Sequence, residues 1–282
     1  MTVSRRVVQV EVGRAEAELA ADVLWRAGPS AVGEVDLADG RVRLTADPAD
    51  PLGELPPSAV VTELELDGDD HLDAWRAWAA PVRAGRRIVL HPAWLPIAEA
   101  IVTNTTTADP RAHGDITILL DPGRSFGSGS HPTTRLVLEL LEDEVHAGAR
   151  VLDVGAGSGV LSVAAALLGA AGVCALDIDA AAVEATGANA AANGVAGLIE
   201  VSDRPLAEVE GRFDLVLANI GVRVITEMAP DLRAHVAPGG ALVLSGLLAD
   251  QLDPVLACFP GLTEVARRHE DGWVASLLRA PA

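Results

Sequence analysis

The residues of this chain that can do chemistry fall in a few short stretches. The first is DPGRSFGSGSHPTT, residues 121 to 134, where glycines, serines, threonines and a His-Pro pair separate two apolar runs. Glycine-rich loops that open a helix usually offer backbone N–H groups to something anionic. This one lacks the lysine of a phosphate-binding loop. The second stretch, VLDVGAGSGVLS, places Gly155, Gly157 and Gly159 at a strand-to-helix turn, where backbone can approach a ligand closely. A dinucleotide fingerprint, G-x-G-x-x-G, would need its third glycine where Val160 stands; here it comes one residue early, and Asp153 precedes the first glycine by two. The third feature is Asp177 in ALDID, about 20 residues past the glycines, where an acid accepts hydrogen bonds from a ribose diol. Asp179 competes for that role, but its place suits an N-cap of the following helix. The fourth is Asn219, at the end of LVLAN. A carboxamide donates and accepts at once, which suits holding an amine. The alternative for Asn219 is an ordinary strand-ending residue that caps the next helix.

These residues need elements to position them. From about Pro132 short apolar runs alternate with helical stretches, and strands are read at 150–154, 173–177, 198–201, 213–218 and 241–245. Near-continuous apolar runs such as DLVLANI mark buried parallel strands. VARRHEDGWVASLLR reads as a closing hairpin around Asp271-Gly272. The expectation is an α/β, doubly wound, Rossmann-like sheet with a C-terminal antiparallel hairpin, its ligand beyond the carboxyl ends of the strands. Ahead of it, Val8, Val10 and Val12 alternate with polar residues, a helix follows at about 14–27, and strands are read at 30–37, 41–45 and 60–66. This gives three parts: a small α+β, ferredoxin-like unit at 1–67, a connector at 68–120 with a helix at 71–80 and strands at 86–91 and 115–121, and the main domain at 121–282.

Composition narrows the partners. A formal charge of −19 argues against unaided binding to nucleic acid, whose affinity rests on neutralised phosphates. No apolar run is long enough for a bilayer, and the N-terminus lacks the apolar core of a secretion signal. The two cysteines, Cys174 and Cys258, and the seven histidines show no metal-ligand spacing, so a reducing cytoplasm and no metal are expected. Every basic residue is Arg and tyrosine is absent, which reads as compositional bias.

The D-x-G-x-G-x-G spacing resembles the first motif of class I S-adenosylmethionine (SAM) methyltransferases. DPGRSFGSGSHPTT, VLDVGAGSGVLSVAAALLGA, ALDID, LANI and LSGLLADQ together resemble the PrmA family, which methylates large-subunit ribosomal protein eleven. The F-G-x-G-x-H-P-T-T block is the specific signal, and the glycine and ALDID motifs are generic to SAM enzymes. The resemblance implies SAM as cofactor, contacted by Thr134, Gly155, Asp177 and Asn219; Gly157, in the same turn, joins them. It implies N-methylation of lysine side chains or an α-amino group, with Asn219 orienting the acceptor amine and residues 1–67 recognising the ribosomal protein; a monomer without contact to nucleic acid or membrane is expected. The competing readings are a related enzyme acting on a small molecule or peptide natural product, and a SAM-binding module without catalysis. Ser128 and Ser130 stand where the family commonly has threonine.

The glycines and short polar side chains of 126–134 give that stretch few apolar anchors, so it is expected to fold over SAM with Thr134 at the cofactor's amino-acid end. Amide exchange across Phe126 to Thr134 should slow when SAM is added. Exchange that is slow already without SAM, and unchanged with it, would make the stretch a static helix cap.

Overall fold

A computed structural model describes residues 4–27, 32–37, 39–46, 48, 51–67, 80–96, 114–121, 129 and 131–282. The chain divides into two compact units, Met1–Ala79 and Ala80–Ala282.

In the first unit, β1 (Ser4–Gly13) leads through a short 3-10 turn into α1 (Ala17–Arg26), followed by β2 (Val32–Asp36), β3 (Arg41–Ala46) and β4 (Val60–Asp67). The strands pair antiparallel in the order β2-β3-β1-β4. Period-two alternation puts Val10, Val12, Val42 and Leu44 on one face, where Ala20 and Leu24 of α1 bury them. Arg43 and Arg41 on the opposite face pair with Glu11. The helix read at 71–80 lies outside the described residues except for Ala80.

The second unit holds two sheets. The smaller runs β5 (Val82–Ala84), β6 (Ile88–Pro92) and β7 (Ile116–Leu120) in that order, with β6 and β7 parallel. These strands come from the stretch read as a connector, and β5 has no counterpart in the sequence reading because three residues are too few for a periodicity. They belong to the second unit partly through α2 (Pro132–Glu144): the buried Glu142 carboxylate accepts the backbone N–H groups of Arg86, Arg87 and Ile88.

The larger sheet has seven strands: β8 (Arg150–Val154), β9 (Gly172–Leu176), β10 (Ile199–Ser202), β11 (Phe213–Asn219), β12 (Val236–Leu248), β13 (Thr263–Glu270) and β14 (Trp273–Arg279). Their order is β10-β9-β8-β11-β12-β14-β13. The first five are parallel; β14 and β13 run antiparallel and form the expected terminal hairpin. The intervening helices are α3 (Val160–Leu167), α4 (Ala180–Ala192), α5 (Val222–Ala234) and α6 (Leu252–Leu256). Both faces are covered. Val151, Val163 and Leu217 belong to one apolar cluster, and Leu152, Val216, Ile225 and Phe259 to the other. Burial on both faces explains why these strands read as continuous apolar runs rather than alternating ones. Strand order reverses between β8 and β11, and the crevice beyond the carboxyl ends of those two strands is where a sheet of this kind binds ligands.

Candidate functional site

The turn after β8 and the end of β11 meet at that crevice. Gly155, Gly157 and Gly159 have φ of +77°, +57° and +77°, a region glycine enters without steric cost. A Cβ on Gly155 would lie 2.3 Å from Cγ2 of Ile220. From the other side, Gly246 on β12 comes equally close: its Cβ would stand 2.3 Å from the Ile220 carbonyl oxygen. Ile220 is thereby clamped immediately after Asn219. Gly246 lies in the LSGLLADQ stretch, but its part in fixing Asn219 emerges only from the fold.

Asp177 follows the last residue of β9. Its Oδ2 accepts the Gly157 N–H at 2.8 Å and its Oδ1 accepts the Asp179 N–H at 3.0 Å. The carboxylate therefore ties the end of β9 to the glycine turn, and each oxygen retains a lone pair for a ligand hydroxyl. Asp179 caps α4, accepting the Ala181 N–H at 2.9 Å. Between the two acids, Ile178 is 94% exposed. The sequence reading passed over it; the available signal was an apolar residue just past a strand-ending acid, where neither strand nor helix would bury it.

Asp153, on β8, is 1% exposed and accepts the Ser162 hydroxyl at 2.6 Å. Burial pushes its carboxyl up to about 6, and nearby Asp177 acts in the same direction. Its first effect is thus on the protonation balance beneath the glycine turn.

Thr134 and Asn219 complete the group. Among the described residues, the buried side-chain polar atoms without a hydrogen-bond partner are Thr134 Oγ1, Asn219 Oδ1 and Arg204 Nε. The segments that carry the first two are tied through one residue. Ser245 pairs with Asn219 across β12 and β11, and its hydroxyl donates to the Thr133 carbonyl at 3.4 Å. Asn219 does not cap α5: the N-cap is Gly221, with no side-chain bond. Pro132 occupies the first turn of α2, and His131 caps it, its Nδ1 accepting the Thr133 N–H at 3.3 Å. The His131 ring lies edge-on to Trp273, 4.8 Å between centroids. Burial, with Arg135 adding to it, lowers His131 to about 4, so it is neutral at neutral pH and a weak base. Of the stretch 121–134, residues 122–128 and 130 lie outside the described residues, and with them the expected fold over a ligand. No cluster of three or more His, Cys, Asp or Glu among the described residues is placed to hold a metal ion.

Comparison with known proteins identifies the family. The profile of the family described as ribosomal protein L11 methyltransferase (PrmA) matches residues 49–280. The chain is 44% identical over 230 residues to a ribosomal protein L11 methyltransferase of Pelotomaculum thermopropionicum, covering 80% of this chain and 70% of that one. It is likewise 44% identical over 221 residues to that of Geobacter metallireducens, covering 78% and 69%. The crystal structure of a ribosomal protein L11 methylase from Lactobacillus delbrueckii subsp. bulgaricus superposes with a TM-score of 0.62 at 28% identity, covering 73% of this chain and all of that one.

Asp153 makes a pH prediction. Its folded-state pKa is raised from 3.8 to about 6, so its contribution to stability is complete at low pH and is lost as pH rises through about 6, by about 3 kcal/mol at most. Asp153→Asn removes that loss. Urea unfolding should show the variant more stable than wild type at pH 8, with the advantage shrinking towards pH 4. His131 titrates with the opposite sign, so the difference between the two proteins, rather than the wild-type curve, isolates Asp153. A variant less stable than wild type at pH 8 would contradict the account.

Proposed function

The chain belongs to the PrmA family of ribosomal protein L11 methyltransferases, and on that premise we propose its substrate and the residues of its site. As a member of that family it is a SAM-dependent methyltransferase. The substrate is an amine, a lysine side chain or an α-amino group, of the large-subunit ribosomal protein L11. The family profile begins at residue 49. Most of the unit at 1–67, to which we assign recognition of the ribosomal protein, therefore lies outside that match. The enzyme acts in the cytoplasm as a monomer; the charge of −19 disfavours direct contact with nucleic acid, and among the described residues no helix is long and apolar enough to cross a membrane.

The observation that carries this reading is the pair of partnerless oxygens on Thr134 and Asn219, at the carboxyl end of a switch point that also presents Asp177 and the glycine turn. Each unsatisfied buried polar atom costs about 1–3 kcal/mol, so a ligand that supplies its partner recovers that energy on binding. SAM fits the donor set. Asp177 would accept from ribose hydroxyls, Gly155 and Gly157 would let the ligand approach the backbone, and Thr134 would bond the amino-acid end. Ile178 offers an apolar face beside Asp177.

Bound SAM supplies a methyl group activated by its sulfonium centre. The chain's own contribution is to hold and orient the acceptor. A free lysine amine, with a pKa near 10.4, must lose a proton before it can react. Among the described residues the site has no strong base at hand: His131 is lowered to about 4 and already caps α2. Transfer of the acceptor from water into a closed site favours its neutral form. Asn219 Oδ1, buried without a partner, would accept an N–H of the amine and so orient it. Catalysis on this account is chiefly alignment.

The test is incubation of the protein with methyl-labelled SAM and a ribosomal protein extract. The expected outcome is label in one small protein, identified as L11 by mass spectrometry. Asn219→Ala should lower turnover at saturating SAM by roughly 30- to 1000-fold, equivalent to about 2–4 kcal/mol, with SAM affinity changed far less. Label confined to a small-molecule fraction would overturn the substrate. Full rescue of the variant by excess SAM would leave Asn219 a cofactor ligand only.

A further inference from the structure

α4 and its C-cap carry Thr186, Asn189 and Asn193, and all three reach across to backbone rather than to solvent. Thr186 Oγ1 donates to the Gly157 carbonyl at 3.0 Å. Asn189 Nδ2 donates to the Ser158 carbonyl and to the Asp121 carbonyl, both at 2.8 Å, while its Oδ1 accepts the Asp121 N–H at 2.9 Å. Asn193 treats Leu119 the same way: Oδ1 accepts the N–H at 2.8 Å, and Nδ2 donates to the carbonyl at 2.7 Å and to the Asn189 carbonyl at 2.7 Å.

β7 is the outer strand of its sheet, and an outer strand leaves a row of backbone groups unpaired. Two carboxamides spaced by one helical turn satisfy those of Leu119 and Asp121, as a neighbouring strand would. Asn193 does nothing else beyond its bond to α4. Asn189 also grips the glycine turn. It is 2% exposed, and three of its four hydrogen-bonding positions are used on two separate segments. Asp121 opens the 121–134 stretch, and Ser158 belongs to the turn that approaches the cofactor.

We propose that Asn189 is a positioning residue for methyl transfer, which, by bonding Ser158 and Asp121 together, couples the orientation of the cofactor turn to the end of β7. The inference rests on the cofactor reading given above. A peptide plane is rigid, so holding the Ser158 carbonyl towards α4 fixes which way that peptide faces the ligand. Releasing it lets the turn reorient before SAM binds, and the binding energy then has to restore it.

A matched pair of variants separates this from plain structural support. Asn189→Asp and Asn193→Asp each keep the acceptor for a β7 N–H and lose the donors to carbonyls. Both should lower the melting temperature of the free protein. Only Asn189→Asp should weaken SAM, by tenfold or more in calorimetric titration; Asn193→Asp should stay within about threefold. In the wild-type protein, residue-resolved amide exchange by NMR should slow at Asp121 when SAM is added and remain unchanged at Leu119, a readout that holds even where a variant does not fold. Equal effects of the two variants on SAM affinity, or no effect of either, would overturn the inference alone. So would an Asp121 amide indifferent to SAM. A wild-type protein that binds no SAM would overturn it together with the reading beneath it.

Discussion

A buried oxygen that has lost water must find another partner, and at the carboxyl ends of β11 and the start of α2 this fold leaves two such oxygens without one. Thr134 Oγ1 and Asn219 Oδ1 have no hydrogen-bond partner, although Ser245 pairs with Asn219 in the sheet and bonds the residue before Thr134. Ser245 instead spends its hydroxyl on the carbonyls of Thr133 and Val274. Interiors otherwise satisfy nearly all such atoms; among the described residues the one further exception is Arg204 Nε, while Glu142 collects three backbone N–H groups and Asn193 makes three bonds. Two exceptions at a switch point are best understood as the protein's half of bonds completed by a ligand.

The surrounding fold keeps those oxygens where they are. Close approach of Gly155 and Gly246 clamps Ile220 and so fixes the residue before it. His131 and Pro132 set the start of α2, and with it Thr134. Asp177 draws the glycine turn towards β9, while Thr186 and Asn189 draw it towards α4. The turn is thus held by side chains from two elements, and it leaves its ligand-facing side to the crevice. Asp153 lies beneath, buried and raised to about 6, so a cationic ligand nearby would favour its ionised form.

Much of this was legible in the sequence because the information is local. The glycine spacing, the acid about 20 residues on and the Asp271-Gly272 turn each occupy a few adjacent residues, and a parallel strand buried on both faces announces itself as an unbroken apolar run. Asp179 read as a cap because capping is a relation over two or three residues. What escaped is long-range. Asn189 and Asn193 bond backbone 68 and 74 residues away, and nothing in ATGANAAANG distinguishes such asparagines from polar surface residues. Gly246 belongs to LSGLLADQ, yet its close approach to Ile220 is not legible there. Ile178 was skipped because an exposed isoleucine has no periodicity to betray it.

The central claim is that Thr134 carries an oxygen left for the cofactor. Thr134→Val keeps the side-chain shape and removes that oxygen, so it tests the claim with two readings of opposite sign. In the free protein the variant should be more stable, by about 1–3 kcal/mol in urea unfolding, because a buried unsatisfied group has gone. In the same preparation its affinity for SAM should fall by about tenfold or more, because the bond that satisfied the group has gone too. A variant less stable than wild type without ligand, or one that binds SAM as tightly as wild type does, would contradict the account.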